Sequence, residues 1–351
     1  MEREPVVGTQ AKKPILRVLA GETVSPQPIW LMRQAGRYLS EYRDLRAKAG
    51  DFMKLCFTPA YAAEVTLQPI HRFGFDGAIL FSDILVIPHA LGQKLWFAEG
   101  EGPKLSPLEP QALAKLDPGT ALPNLAPIFE TVSKVRANLP PSVTMLGFAG
   151  APWTVANYMI AGGSSDESEH LRKFTYDHPQ SLDALLEILI ETTSAYLVEQ
   201  VKAGAEALQI FESWAGTIPA DQVGKYSLEP IRRIISLVRE KCPGTPFIVF
   251  PRGAGLNYAD YANTTGTNAV SVDYQTSLTK LRHEIRPGMG TQGNLDPIAL
   301  SQGGPGLEQA IASILTQTKG QPHIFNLGHG IRQETPIVNV EQLIRSVRKA
   351  A

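Results

Sequence analysis

Cysteine is nearly absent. Cys56 and Cys242 are the only two in 351 residues, far apart and with no CxxC pair. That excludes a disulfide framework and a cysteine-rich metal site, and it suits a reducing cytoplasm. Long apolar runs are missing too: none approaches the roughly 18 to 20 residues of a membrane span. The start, "MEREPVVGTQAKK", has acidic residues and no apolar stretch, so no secretory signal is expected. Neither sign of charge dominates, since 33 Lys and Arg against 34 Asp and Glu leave a net charge of -1. That balance argues against a nucleic-acid-binding surface and against a polybasic membrane face. Any acidic ligand must therefore be met by a local concentration of cations. Three phosphate and nucleophile signatures are also lacking. No GxGxxG follows an early strand, no GxxxxGK[ST] occurs, and there is no GxSxG elbow.

What is present is a regular alternation. With 43% hydrophobic residues a sizeable core is available. Short apolar runs are each followed by turn residues and then by a longer helical pattern. Strands are predicted at 28–32, 77–82, 144–148, 207–211, 247–251, 269–273, 290–294 and 323–327, with "GTQGN" (290–294) taken mainly from its place in the series. Helices are predicted at 59–74, 125–139, 181–204, 228–241, 307–320 and 340–350, several bounded by capping residues and trailing glycines. The stretch 100–123 reads as a Pro/Gly-rich excursion and 161–170 as a mobile loop or lid. Strands alternating with helices imply parallel pairing through crossovers. Eight such units predict an α/β fold, a single (β/α)8 TIM barrel over 14–351 preceded by a flexible extension, 1–13. Its active-site cleft is expected at the C-terminal ends of the strands.

Polar residues end nearly every predicted strand. Arg33, with Arg37 four residues on at helical spacing, follows "PIWLM"; Asp83 follows "GAILFS". Tyr158 comes shortly after "GFAGAPWT", Phe211, Glu212 and Ser213 close the fourth strand, and Arg252 the fifth. Asp273, then Asn294 and Asp296, then Asn326 and His329 complete the rim. Each has an ordinary structural reading. The arginines could be solvated surface, Asp83 a helix cap, Tyr158 and Phe211 packing, and Asn326 and Asp296 loop satisfaction. His329 could be structural, although Gly328 and Gly330 suggest an exposed, tightly turned loop. As a set they outline a site. Asp83 with Glu212 could form a glycosidase-like carboxylate pair, but two arginines at the mouth suit a polyanion better than a neutral sugar.

The motifs "MRQAGRY", "FSDILVIPHALG", "GFAGAPWT" with the tyrosine after it, "FES.AG", "GNLDP" and "FNLGHGI" occur in this order. Together they resemble the uroporphyrinogen decarboxylase family, from about Pro14 to the C-terminus. The resemblance implies a (β/α)8 barrel, usually a cytoplasmic homodimer with facing clefts. It implies removal of the four acetate carboxyl groups of uroporphyrinogen III to give coproporphyrinogen III, in haem and chlorophyll biosynthesis, with no cofactor and no metal. By the same resemblance Arg33 and Arg37 bind substrate, Asp83 is the essential aspartate, Tyr158 and His329 are active-site residues, and Phe211 and Ser213 line the cleft. The proton donor stays open among Arg33, Tyr158, His329, water and a substrate carboxyl group. Two segments depart from the family pattern, "RQETPIV" (332–338) and "SVDYQTSL" (271–278). The rivals are a related zinc methyltransferase, which would need a His/Cys ligand set absent at these strand ends, and a tetrapyrrole-binding protein without activity.

Overall fold

In the computed structural model, residues 13–98, 102–163 and 168–350 are described. The strands are β1 (Gly77–Ile79), β2 (Leu95–Ala98), β3 (Gly102–Leu105), β4 (Thr144–Gly150), β5 (Ala207–Glu212), β6 (Phe247–Pro251), β7 (Ala269–Ser271), β8 (Gly290–Leu295) and β9 (His323–Leu327). All but β2 and β3 form one curled parallel sheet in the order β1-β4-β5-β6-β7-β8-β9. Sequential order with helical crossovers is what the alternating pattern dictates. Strands β4, β6 and β9 are buried at every residue, as expected where helices cover one face and side chains fill the other. The fold is thus mixed α/β on a parallel seven-stranded sheet. No helix among the described residues is long and apolar enough to cross a membrane.

The first predicted strand is not one. Pro28–Met32 makes a single parallel bridge, Ile29 to Phe325 of β9. Three of its four backbone donors go to side chains; the fourth, Trp30 N–H, reaches Phe325 C=O of β9 at 3.4 Å. Ile29 N–H donates to Asp76 Oδ2 at 2.7 Å, Leu31 N–H to Gln34 Oε1 at 3.1 Å and Met32 N–H to Asn326 Oδ1 at 2.9 Å. Proline at 28 has no N–H to give. On its other flank, Ile29 C=O accepts from Asp76 N–H at 2.9 Å, so the segment lies between β9 and the residue just ahead of β1. The second predicted strand stops early for a similar reason, because Phe81 N–H turns to the Thr66 hydroxyl. "GTQGN" is a full strand, paired from Thr291 to Leu295 with β9.

The helical patterns hold, with shifted ends. Pro59–Phe73 closes on Gly74 in the left-handed conformation, and Glu229–Lys241 buries Ile231, Ile234, Ile235 and Val238 as the spacing predicts. The helix predicted from 125 begins at Pro118, where Asp117 caps it by accepting from Gly119 N–H, and it absorbs Pro123 and Pro127. The excursion is therefore the β2–β3 hairpin, a 3-10 turn at Pro110–Lys115 and the first turns of this helix. Of the lid stretch, 164–167 fall outside the described residues, and 169–170 open the helix Glu169–Asp177. Most of the 1–13 extension likewise falls outside them; Lys13 itself is tied to Glu206 and the Val143 carbonyl at 2.6 and 2.7 Å.

The interior of the sheet is partly polar. Trp30 Nε1–H donates to Gln292 Oε1, and Gln292 Nε2 donates to both Gln209 Oε1 and Ser271 Oγ, at 2.9 to 3.0 Å. All four residues are buried. This chain joins the 28–32 segment to β8, β5 and β7, and it fixes which side chains of those strands point inward.

Candidate active site

Arg33 sits in a turn, not a helix. The helix that follows begins only at Ser40, so the four-residue spacing of Arg33 and Arg37 reflects turn geometry. Arg33 has φ 61°, a left-handed conformation that costs an L-residue roughly 1–2 kcal/mol. Its neighbours enforce it. Asn326 holds Met32, while Gln34, fully buried, donates to Gly77 C=O and accepts from Leu31 N–H, and its own carbonyl accepts from Tyr38 OH. The guanidinium path runs against Gly330: a Cβ there would come within 2.4 Å of Arg33 Cδ.

Asp83 follows β1. Its Oδ1 accepts from Leu85 N–H at 2.8 Å, a local turn bond; the N-cap of the helix Val86–Ala90 is Leu85 and no side chain caps it, so Asp83 is not a helix cap. No described residue donates to Oδ2. Burial raises the carboxyl above its ordinary value; the Leu85 N–H and the Arg33 charge oppose the rise. Tyr158 lies on the helix Pro152–Ala161 after β4, its ring edge-on to Trp214 at 6.5 Å. Burial raises its pKa, and the charges of Asp83, Arg33 and Arg252 all reach it. Phe211 stands between Phe148 and Phe250, at 5.7 and 6.2 Å, in two edge-to-face contacts. Ser213, half-buried, follows directly.

His329 is half-buried, and its loop is tight but not exposed: Gly328 and Gly330 are buried. A Cβ at Gly328 would meet Tyr274 N at 2.3 Å, so both glycines are required by close approach. The histidine pKa is lowered to about 4, by burial first, then by Arg33 and Arg252, with Asp273 opposing. The imidazole is neutral near pH 7 and can donate one N–H without being an acid.

The charge of Arg33 is thus felt by Asp83, Tyr158 and His329 alike, and that of Arg252 by Tyr158 and His329. Arg33 and Arg37 are both exposed; the charge of Arg37 is felt by Tyr42. No described residue hydrogen-bonds the side chains of Arg33, Arg37, Arg252, Ser213 or His329. A cleft holding so many unclaimed donors is built for an acceptor-rich ligand.

Other rim residues serve the scaffold. Asp273 accepts from Gly253 N–H and Tyr258 OH on Oδ2, and from Gln275 N–H and the Thr276 hydroxyl on Oδ1. Asn294 ties Asp273 and Thr276 carbonyls, Asp296 caps Ile298 N–H, and Asn326 serves Met32 and Leu327 N–H. Glu212 does not face Asp83. It is fully buried, accepting from the Thr154 and Ser227 hydroxyls, which rules out the glycosidase-like pair. Among the described residues no group of three or more His, Cys, Asp or Glu is placed to hold a metal ion. Gln34 and Trp214 escaped the reading of the sequence; a buried glutamine between two arginines carries no pattern that marks it.

Residues 10–350 match the family model described as Uroporphyrinogen decarboxylase (URO-D). The chain belongs to the uroporphyrinogen decarboxylase family. A protein named uroporphyrinogen decarboxylase from Rhodospirillum rubrum is 48% identical over 343 residues, covering 97% of this chain and 99% of that one. One from Novosphingobium aromaticivorans is 50% identical over 337 residues, covering 95% and 98%. Among solved structures, a methyltransferase from Methanosarcina mazei aligns with TM-score 0.77 at 20% identity, over 96% of this chain and 99% of that one. That likeness concerns the fold alone. The uroporphyrinogen decarboxylase relatives match in both length and sequence.

Proposed function

We propose that this chain is a carboxy-lyase that converts uroporphyrinogen III to coproporphyrinogen III and four CO2 without a cofactor, in the tetrapyrrole biosynthesis of the cytoplasm. The observation that carries the reading is the Asp83 carboxyl oxygen to which no described residue donates, within the charge of Arg33, whose guanidinium no described residue pairs. The substrate has carboxylates at its periphery and pyrrole N–H groups at its centre. Arg33 and Arg37 meet the periphery, where guanidinium pairs carboxylate in bidentate fashion. Asp83 meets the centre. It accepts from pyrrole N–H groups and stabilises the cation formed when a ring carbon is protonated. Carbon dioxide leaves as electrons return to the ring; a second proton on the exocyclic carbon then gives the methyl group, and the ring carbon releases the first. Phe211 and its aromatic neighbours bound the pyrrole face, and Ser213, Tyr158 and His329 offer hydrogen bonds at the edge. Neither Tyr158, with its raised pKa, nor His329, with a pKa of about 4, suits proton donation near neutrality. A guanidinium is a still weaker acid. Solvent or a substrate carboxyl group is the source this arrangement favours.

Two further parts belong to this reading. The 28–32 segment acts as an eighth stave between β9 and β1, closing a (β/α)8 barrel; its bridge to Phe325 and its bond to Asp76 support this. The enzyme is a homodimer with clefts facing one another. Support comes from Leu256, Tyr274, Ile298 and Val338, exposed apolar side chains that each follow the C-terminal end of a strand. The deciding assay is anaerobic incubation of purified protein with uroporphyrinogen III and no added cofactor or metal, then oxidation and porphyrin chromatography. Coproporphyrin is the expected product; recovery of uroporphyrin alone from folded protein would sink the reading.

A further inference from the structure

Arg252 is the cation of this cleft to which no role has been given. It follows β6, whose Phe250 packs on Phe211. Phe211 shares the parity of Gln209, which points into the sheet interior toward Gln292. By strand alternation Arg252 falls on the same inward side as Phe250. Its mount is rigid. Arg252 N–H donates to Glu212 C=O, Arg252 C=O accepts from Gly216 N–H, and Gly253 N–H is held by Asp273. Gly216 and Gly253 lie so close that a Cβ on Gly216 would meet Gly253 O at 2.7 Å. No described residue pairs with the guanidinium. With the 28–32 segment next to both β9 and β1, β6 stands four positions from it in either direction round the sheet. Arg33 and Arg252 therefore face each other across the cleft.

We propose that Arg252 is a substrate-binding residue that holds a propionate carboxylate on the side of the tetrapyrrole away from the reacting ring. This rests on the decarboxylase reading of the cleft. The choice of propionate follows from the substrate's own chemistry. Acetates disappear one by one, and at the last step the only acetate left is the one reacting over Asp83. A fixed cation across the cleft that serves every turnover can then meet only a propionate.

The test compares Arg252→Ala, Arg252→Lys and Arg37→Ala with the parent protein. The substrates are uroporphyrinogen III and the five-carboxylate porphyrinogen that carries one acetate. For Arg252→Ala, KM rises on the order of tenfold with both substrates, kcat changes much less, and coproporphyrinogen inhibits more weakly. Arg252→Lys, which keeps the charge but not the fork, shows a smaller rise. A rise confined to uroporphyrinogen would assign Arg252 to an acetate and overturn the proposal. So would unchanged KM values for Arg252→Ala while Arg37→Ala raises them. A substrate-free arm follows His329 by NMR titration: its pKa rises in Arg252→Ala and less in Arg252→Lys. An unmoved His329 means that Arg252 does not face the cleft, whatever the turnover. A parent protein that processes neither substrate would instead fail the decarboxylase reading itself, leaving the titration to judge where Arg252 points.

Discussion

At the scale of single residues, the proposed chemistry separates binding charge from catalytic charge. Asp83→Asn keeps the size and part of the hydrogen bonding but removes the negative charge. Turnover should fall by about 10²–10³, while substrate affinity changes far less because the ground-state pyrrole is neutral. Near-normal turnover would make Asp83 only the turn residue that holds Leu85 N–H. The glycines beside His329 give a paired prediction. The three atoms nearest an added Cβ at Gly330 all belong to the Arg33 side chain, so Gly330→Ala should cost less melting temperature than Gly328→Ala while kcat/KM falls by roughly ten- to a hundredfold as the guanidinium moves. Gly328→Ala meets backbone at Tyr274, so it should lower the melting temperature markedly; the reverse pattern would show that the loop is held otherwise. Arg33, Asp83 and His329 could be named from the sequence because strand ends and motif order mark them. Their support could not. Gln34 reaches Gly77, 43 residues on, and Asp273, legible as a rim residue, owes its scaffold role to Gly253 and Tyr258; no local pattern encodes those bonds.

At the scale of elements, the apolar runs located the sheet, and competing side chains decided where strands stop. Pro28–Met32 has a strand's composition, yet Asp76, Gln34 and Asn326 take three of its four donors. Run length cannot reveal such capture. "GTQGN" is the opposite case: weak composition, but both neighbours are in place to pair with it. Helix ends moved because proline is tolerated in a first turn and the aspartate ahead of it caps. The elements also leave a pH signature. Burial raises the Glu212 carboxyl from 4.5 to about 7, so between those values the folded state keeps a proton that the unfolded chain has lost. Stability from this group therefore declines as pH rises through that window. Relative to the parent, Glu212→Gln should gain melting temperature between pH 5 and pH 8; a pH-independent difference would refute this. His323 works the other way. It accepts from the Thr291 hydroxyl and donates to Gly293 C=O, and burial lowers its pKa from 6.5 to about 3. Its contribution is complete above 6.5 and is lost as pH falls through the window.

For the whole molecule, the apolar side chains at the cleft rim make a prediction about assembly. Leu256 is 92% exposed and Ile298 54%, apolar surface that the proposed partner subunit would cover. Sedimentation at micromolar concentration should give a dimer, and Leu256→Arg combined with Ile298→Glu should shift it toward monomer. A parent protein that sediments as a clean monomer would overturn the facing-cleft arrangement. The bond from Met32 to Asn326, spanning 294 residues, has a consequence during synthesis. Arg33 emerges from the ribosome almost first, but the residue that holds its turn emerges almost last. A nascent chain therefore carries every cation of the cleft long before it carries a cleft. Termination ahead of β9 should yield an inert polypeptide and not a slow enzyme, so translation delivers this activity all at once.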